Sequence, residues 1–94
     1  MITRINEFHA AQGKSEELHS FLKSLAPFIT TSEGCISFDV LQSLSSPSSF
    51  AVIEKWTDID SHKKSISRFP KEEMQAAMVF FGAPPKGDYY STGA

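Results

Sequence analysis

The chain contains one cysteine, Cys35, in 94 residues, so no disulfide can form within it. A secreted domain of this size ordinarily carries several. Surplus positive charge is also missing: Lys and Arg total 9 against 11 Asp and Glu, for a net charge of -2. Nucleic-acid surfaces need a clustered basic patch, and attraction to anionic lipid needs the same, so neither partner is expected. No apolar run approaches the roughly 18 residues that cross a bilayer. The opening residues Met1 to Glu7 interrupt the apolar core that a signal peptide needs. His9, His19 and His62 are too far apart for the usual metal-ligand spacings, and no Cys stands at a ligand spacing from any of them. Neither a glycine-rich phosphate loop nor a G-x-S-x-G elbow occurs. These absences lead to the expectation of a cytoplasmic domain without metal.

What remains is ordinary globular material, with 40% hydrophobic and 21% charged residues. A chain of this length forms one modest core, so residues 1–94 are read as a single domain. Residues 2–9 suit a first strand whose faces are Ile2, Arg4, Asn6, Phe8 and Thr3, Ile5, Glu7, His9. Both faces are mixed. Ser15 suits a helix N-cap, with Glu16 and Glu17 complementing the dipole of the first turn. Leu18, Phe21, Leu22, Leu25 and Ile29 recur at helical spacing, and Pro27 is expected to kink or tighten the end of that stripe. Gly34 stops it.

A second strand follows from Cys35, with Ile36, Phe38 and Val40 expected on one face. The polar, proline-broken segment Leu44 to Ser49 reads as a hairpin loop. Phe50 to Trp56 makes a third strand, apolar on both sides. Thr57 with Asp60 is a plausible capping box for a second helix bearing Ile59, Lys63, Ile66 and Phe69 on one stripe. After Pro70, Met74, Ala77, Met78 and Phe81 share a face. The segment Gly82 to Gly87 breaks the helix, and residues 88–92 suggest a short last strand in an atypical tail.

The order β-α-β-β-α-β is the ferredoxin-like arrangement, an α+β fold with an antiparallel four-stranded sheet. Right-handed crossovers put both helices on one face of the sheet. The other face is partly apolar and has no cover within the chain. A second copy is the simplest cover, so a homodimer is expected.

The residues Gly34-Cys35 before the second strand, Glu54-Lys55-Trp56 closing the third, Phe8 followed by Gly13, and the Leu-rich helix between them occur in order. In this the chain resembles the antibiotic biosynthesis monooxygenase (ABM) family of the dimeric α/β-barrel superfamily, most closely over residues 2–56. It departs from the family at Ser65, where many members carry a His, and in the tail after Gly82. The resemblance implies a dimeric α/β barrel. It also implies a monooxygenase that, in some members, oxidises quinol-like or polycyclic aromatic substrates with O2 and without metal or flavin. A deprotonated phenol of this kind passes an electron to O2 itself. The protein then has to supply a dry pocket, a proton acceptor and donors for the anion.

The implied catalytic candidates are Asn6 and Trp56. Arg4, Phe8, Phe38, His62, Met74, Met78 and Phe81 are the candidates for the pocket wall, and Glu54 or His62 could accept a proton. Each has a plainer reading. Trp56 suits the core or a dimer interface, Arg4 a sheet edge, Glu54 an interfacial ion pair and His62 a solvated helix face. Met74, Met78 and Phe81 suit simple packing. Asn6 is the most telling, because strand interiors disfavour Asn and its amide must be satisfied. Haem-degrading relatives carry an Asn, a Trp and a His; here Asn6, Ser65 and Gln75 occupy those places, so haem is not expected. Three other readings stay open: an isomerase of a small phosphorylated metabolite, a non-catalytic ligand-binding or stress-response dimer, and, least supported, a ferredoxin-like RNA-binding domain. The isomerase would need Arg4 or Arg68 pointing inward.

Overall fold

The computed structural model describes residues 1–93. Strand β1 (Ile2–His9) leads to helices α1 (Ser15–Ser24) and α2 (Ala26–Thr30). Strands β2 (Cys35–Gln42) and β3 (Ser49–Trp56) form the hairpin. Helices α3 (Ile59–Arg68) and α4 (Lys71–Ala77), a 3-10 turn (Met78–Phe80) and strand β4 (Lys86–Tyr90) complete the order. The strands lie β2-β3-β1-β4, all pairs antiparallel, which is the expected ferredoxin-like sheet. No helix among the described residues is long and apolar enough to cross a membrane.

The register places Arg4 opposite Glu54, Asn6 opposite Val52 and Phe8 opposite Phe50, so these side chains share the helix-covered face. Leu18 and Leu22 descend from α1 onto Phe50 and Val52, and these four form the buried core cluster. The opposite face carries Ile5, Ala51 and Ile53, with Leu41 and Tyr90 about half exposed at 48% and 51%.

Several local expectations shift. Helix α1 begins at Ser15 rather than being capped by it, because the turn at Gly13 brings the Lys14 carbonyl into the first helical bond, 2.9 Å from the Leu18 amide. Pro27 divides the helical stripe, standing in the first turn of α2 where its missing N–H costs nothing. A bulge between Cys35 and Ser37 lets Cys35 pair with Trp56, while Phe38 still faces Glu54. The extra residue turns Ile36 outward to 52% exposure, away from the face expected for it. Asp58, not Thr57, caps α3: its carboxylate accepts from the Ser61 amide at 2.7 Å. Gly34 takes φ +87 where β2 begins, and a side chain there would also strike Ser61. Strand β4 starts at Lys86, two residues before the expected Asp88, because the segment pairs with β1 from Glu7 onward.

Candidate functional site

A cavity of about 450 Å³ lies between the sheet and the helices. Its volume falls within the ~300–1,000 Å³ common for small-molecule sites. Among the sequence candidates, Arg4, Asn6, Phe8, Phe38, His62, Met74 and Phe81 line it. Trp56 and Met78 do not. Trp56 is fully buried behind the wall, and Met78, 59% exposed, turns outward from the 3-10 turn. The cavity also has walls that sequence reasoning did not assign: Leu22, Leu25, Ile29, Val52, Phe69 and Pro85.

Glu54 stands at the polar end. Alternation along β3 puts it on the inner face with Phe50, Val52 and Trp56, and only 4% of it is exposed. It is a cavity residue, not the interfacial ion-pair partner expected from sequence. Trp56 Nε1 donates to Glu54 Oε1 at 2.9 Å, and Asn6 Nδ2 donates to Oε2 at 3.3 Å. Trp56 therefore acts on the cavity indirectly, through a carboxylate it holds in place. Burial pushes the Glu54 carboxyl above its ordinary range; the bond from Trp56, the charge of Arg4 and the bond from Asn6 pull against that rise.

His62 is 3% exposed, which corrects the expectation of a solvated helix face. Helix α3 was expected to bury its stripe of Ile59 and Ile66. Instead it rotates so that His62 and Ser65 are buried while those two stay 36% and 55% exposed. The reason is the floor beneath it, where Glu54 and Tyr89 offer polar partners that an aliphatic side chain could not satisfy. His62 Nδ1 lies 2.7 Å from Tyr89 Oη, and Nε2 lies 3.9 Å from Glu54 Oε1. A carboxylate beside Nε2 favours the tautomer with its proton there, leaving Nδ1 to accept from the Tyr89 hydroxyl. Burial, and next the Arg4 charge, lower the His62 pKa to about 4, so the ring is neutral at pH 7. Its ring meets Trp56 and Tyr89 edge to face, with centroids 5.4 Å and 5.3 Å away.

The Arg4 guanidinium carbon sits 4.6 Å from the centroid of the Tyr89 ring. Gly87 makes room for this arrangement: a Cβ there would collide with Asn6 Oδ1 and the Arg4 guanidinium. Two buried polar atoms in the cavity wall, Arg4 Nε and Ser65 Oγ, have no hydrogen-bond partner among the described residues. No cluster of three or more His, Cys, Asp or Glu able to hold a metal ion occurs among the described residues. A second groove of about 660 Å³ runs over the helical surface between α1 and α4, lined by Phe21, Phe28, Arg68, Phe80 and others. It contains nothing comparable to the Glu54–His62 network. Arg68 lines that groove and not the cavity.

Sequence signals for this site were uneven. Glu54 is conspicuous in the sequence as a carboxylate in an apolar strand, which fits an interfacial ion pair as well as a proton acceptor, and only the register puts it on the inner face. Ser65 stands out only as a departure from the family, and Tyr89 gives no sign, because a tyrosine in a tail is commonplace until the layers meet.

No curated protein matches this chain in sequence. Solved structures match it over nearly their whole length. A Nitrosomonas europaea protein provisionally assigned as an antibiotic biosynthesis monooxygenase superposes with a TM-score of 0.89 at 18% identity, covering 100% of both chains. A variant of SnoaB, a cofactor-independent oxygenase from Streptomyces nogalater, superposes with a TM-score of 0.84 at 18% identity, covering 99% of this chain and 93% of its own. A conserved Methanosarcina mazei protein gives 0.84 at 24% identity, over 95% and 89%. At these identities the likeness establishes the fold. The model of the antibiotic biosynthesis monooxygenase family matches residues 1–78, most of the chain, and the chain therefore belongs to that family.

Proposed function

We propose that the protein is a cofactor-independent monooxygenase of a small quinol-like or polycyclic aromatic substrate, bound in the cavity between sheet and helices. The observation that carries this reading is Glu54: a buried carboxylate with a raised pKa, held by Trp56 and Asn6, facing an otherwise largely apolar chamber. A carboxylate made more basic by burial is suited to take the proton of an acidic phenol or of an anthrone-type methylene. Trp56 and Asn6 act as positioning residues that keep both carboxylate oxygens in place. Neutral His62, held by Tyr89, flanks the same carboxylate. The apolar walls Phe8, Phe38, Met74 and Phe81 flank the ring system and exclude water.

For an anthrone-type substrate the balance closes without an outside reductant. Loss of one proton gives a carbanion-enolate that passes one electron to O2. The resulting radical pair combines to a peroxide, which loses water. One oxygen atom ends in the new carbonyl and the other in water. SnoaB, a structural relative, is itself a cofactor-independent oxygenase.

The 94 residues act as one domain, and a second copy covers the outer sheet face with its Ile5, Ala51, Ile53, Leu41 and Tyr90 to complete a dimeric α/β barrel. Light scattering at micromolar concentration is expected to give twice the mass of the chain, and a stable monomer would overturn this part of the reading. A cytoplasmic location goes with the absence of disulfides. The activity is tested by following O2 uptake, with flavin-free and chelator-treated protein, across a panel of quinols and anthrones. Uptake with at least one compound is expected, with one atom of O2 retained in the product, as the quinone from an anthrone or the hydroxyquinone from a quinol, and the other released as water. Silence across the panel would reject the reaction.

A further inference from the structure

Helix α4 forms one wall of the cavity, and open space lies on both sides of it. Lys71 and Met74 face the cavity of about 450 Å³, whereas Glu73, Ala76 and Ala77 face the outer groove of about 660 Å³. The walls contributed by the sheet and by α1 and α2 are backed by packed core, with Leu22, Val52 and Ile29 no more than 9% exposed. Within α4 only Ala77 is buried, and Lys71 to Ala76 are all exposed. No side chain of α4 makes a hydrogen bond or an ion pair among the described residues, and none caps its first turn. The helix is fastened at its ends instead. Before it, the Phe69 ring meets Phe28 edge to face with centroids 5.3 Å apart, and Phe69 and Pro70 run in extended backbone that separates α4 from α3. After it, Phe80 lies 6.4 Å from Phe21, and its carbonyl accepts from the Ala11 amide at 2.8 Å. Gly82 completes that fastening: its amide donates to the His9 carbonyl at 2.7 Å, and a Cβ there would strike the Ala10 carbonyl.

A segment with few buried side chains and a solvated length opens at low free energy, and enzymes draw their lids from such segments. Resting on the function proposed above, we infer that α4 is a displaceable wall: it rolls about its anchors at Phe69 and Phe80 to admit the ligand, and Met74, the side chain it presents to the cavity, sets the largest ring system accepted. The roll carries Met74 away from the cavity and brings Glu73 and Ala76 down into the outer groove. The groove can receive them because Ala76 contributes only a methyl group, and its floor of Phe21, Phe28 and Leu25 is apolar. The cavity thus has two halves. The fixed half, on the sheet, α1 and α2, positions one edge of the ligand beside Glu54; the α4 half yields to the ligand's length. Methionine suits that place, since its unbranched thioether fills irregular space at little cost. The ligands accepted therefore form a range of ring sizes and not one shape.

The test uses two fluorescent ketones that do not ionise and need no turnover to be read: 2-acetylnaphthalene, with two rings, and benzanthrone, with four. In the intact protein, native-state hydrogen exchange should show the amides of Gln75 to Ala77 opening about 100-fold or more often than those of Leu22 to Ser24 in α1. Benzanthrone should bind more slowly than 2-acetylnaphthalene, because the larger probe waits for the wall to move. Ala76→Trp fills the groove behind α4 and leaves the cavity lining unchanged. It should slow benzanthrone association about tenfold and leave the smaller probe within about twofold. Met74→Ala should shift the affinity ratio of the two probes about tenfold towards benzanthrone, and Met74→Trp should shift it the other way. The exchange measurement needs no variant and stands whatever the variants do. Amides of α4 as protected as those of α1, an Ala76→Trp variant that slows both probes equally or neither, an affinity ratio that ignores Met74, or failure of both probes to bind would each overturn the inference. The expected binding pattern without O2 uptake on any quinol or anthrone would reject the oxygenase reading and leave the moving wall standing.

Discussion

Helices α1 and α2 turn Leu18, Leu22 and Ile29 towards the sheet, whereas α3 buries His62 and Ser65 and leaves Ile59 and Ile66 partly exposed. The two coverings sit over different halves of one sheet and obey different rules. Beneath α1 the floor is Phe50 and Val52, and burial of apolar area alone decides which way the helix faces. Beneath α3 the floor is Glu54 and Tyr89, and the need to satisfy polar groups outweighs the burial of two isoleucines. A helix that gives up apolar burial in this way does so to pair polar groups, and the α3 half is the side to which the proposed function assigns the chemistry.

The comparison breaks most sharply at Glu54. Glu54→Gln is expected to lower steady-state turnover of an anthrone-type substrate by about 10²–10⁴-fold, the range for loss of a general base. Its thermal stability should hold or rise, because a buried carboxylate with a raised pKa has been neutralised. A variant that turns over normally would remove Glu54 from the reaction. On the other side, Leu18→Ala should cost about 2–5 kcal/mol in urea unfolding, and whatever remains folded should keep its turnover per molecule. Loss of activity in step with folded fraction alone would sharpen the division; a specific loss of turnover would blur it.

Smaller effects follow from pH. His62 is depressed to about 4, so the stability it contributes is present above its ordinary value of 6.5 and is lost as pH falls towards 4. The loss should be on the order of 3 kcal/mol and should disappear in His62→Leu. Glu54 works in the opposite sense: its raised pKa favours the folded protein at low pH, and that contribution is lost as pH rises through it. Glu54→Gln should therefore steepen the acid loss seen in the parent. Unfolding midpoints measured between pH 4 and 8 on the three proteins separate the two groups. Least of all should come from Met78→Ala, expected to change stability by about 0.5 kcal/mol or less and turnover not at all, because Met78 points away from the cavity. A clear drop in turnover would place it back among the pocket residues.

Strand positions are largely readable in the sequence because side chains alternate with a period of two and turn residues bound each run, even though β1 is mixed and β3 apolar on both faces. The grouping of Arg4, Asn6 and Phe8 on one face followed directly. Ile36 was misplaced because a bulge adds one residue without any local signal. The orientation of α3 was misread because its apolar stripe is thin, and a hydrophobic pattern carries no information about the polar floor it will meet. His62 consequently looked solvated and Ser65 looked like a mere departure from the family.

The linear chain by itself determined the element order, the sheet arrangement and the family, since these depend on periodicity, turn residues and short motifs that act locally. Only the tertiary structure decided which polar groups meet. Glu54, His62, Tyr89 and Arg4 come from four different elements, and their contacts depend on strand register and on the rotation of α3. Those quantities are set by the competition between apolar burial and hydrogen-bond satisfaction across layers, and no single segment contains both sides of that competition.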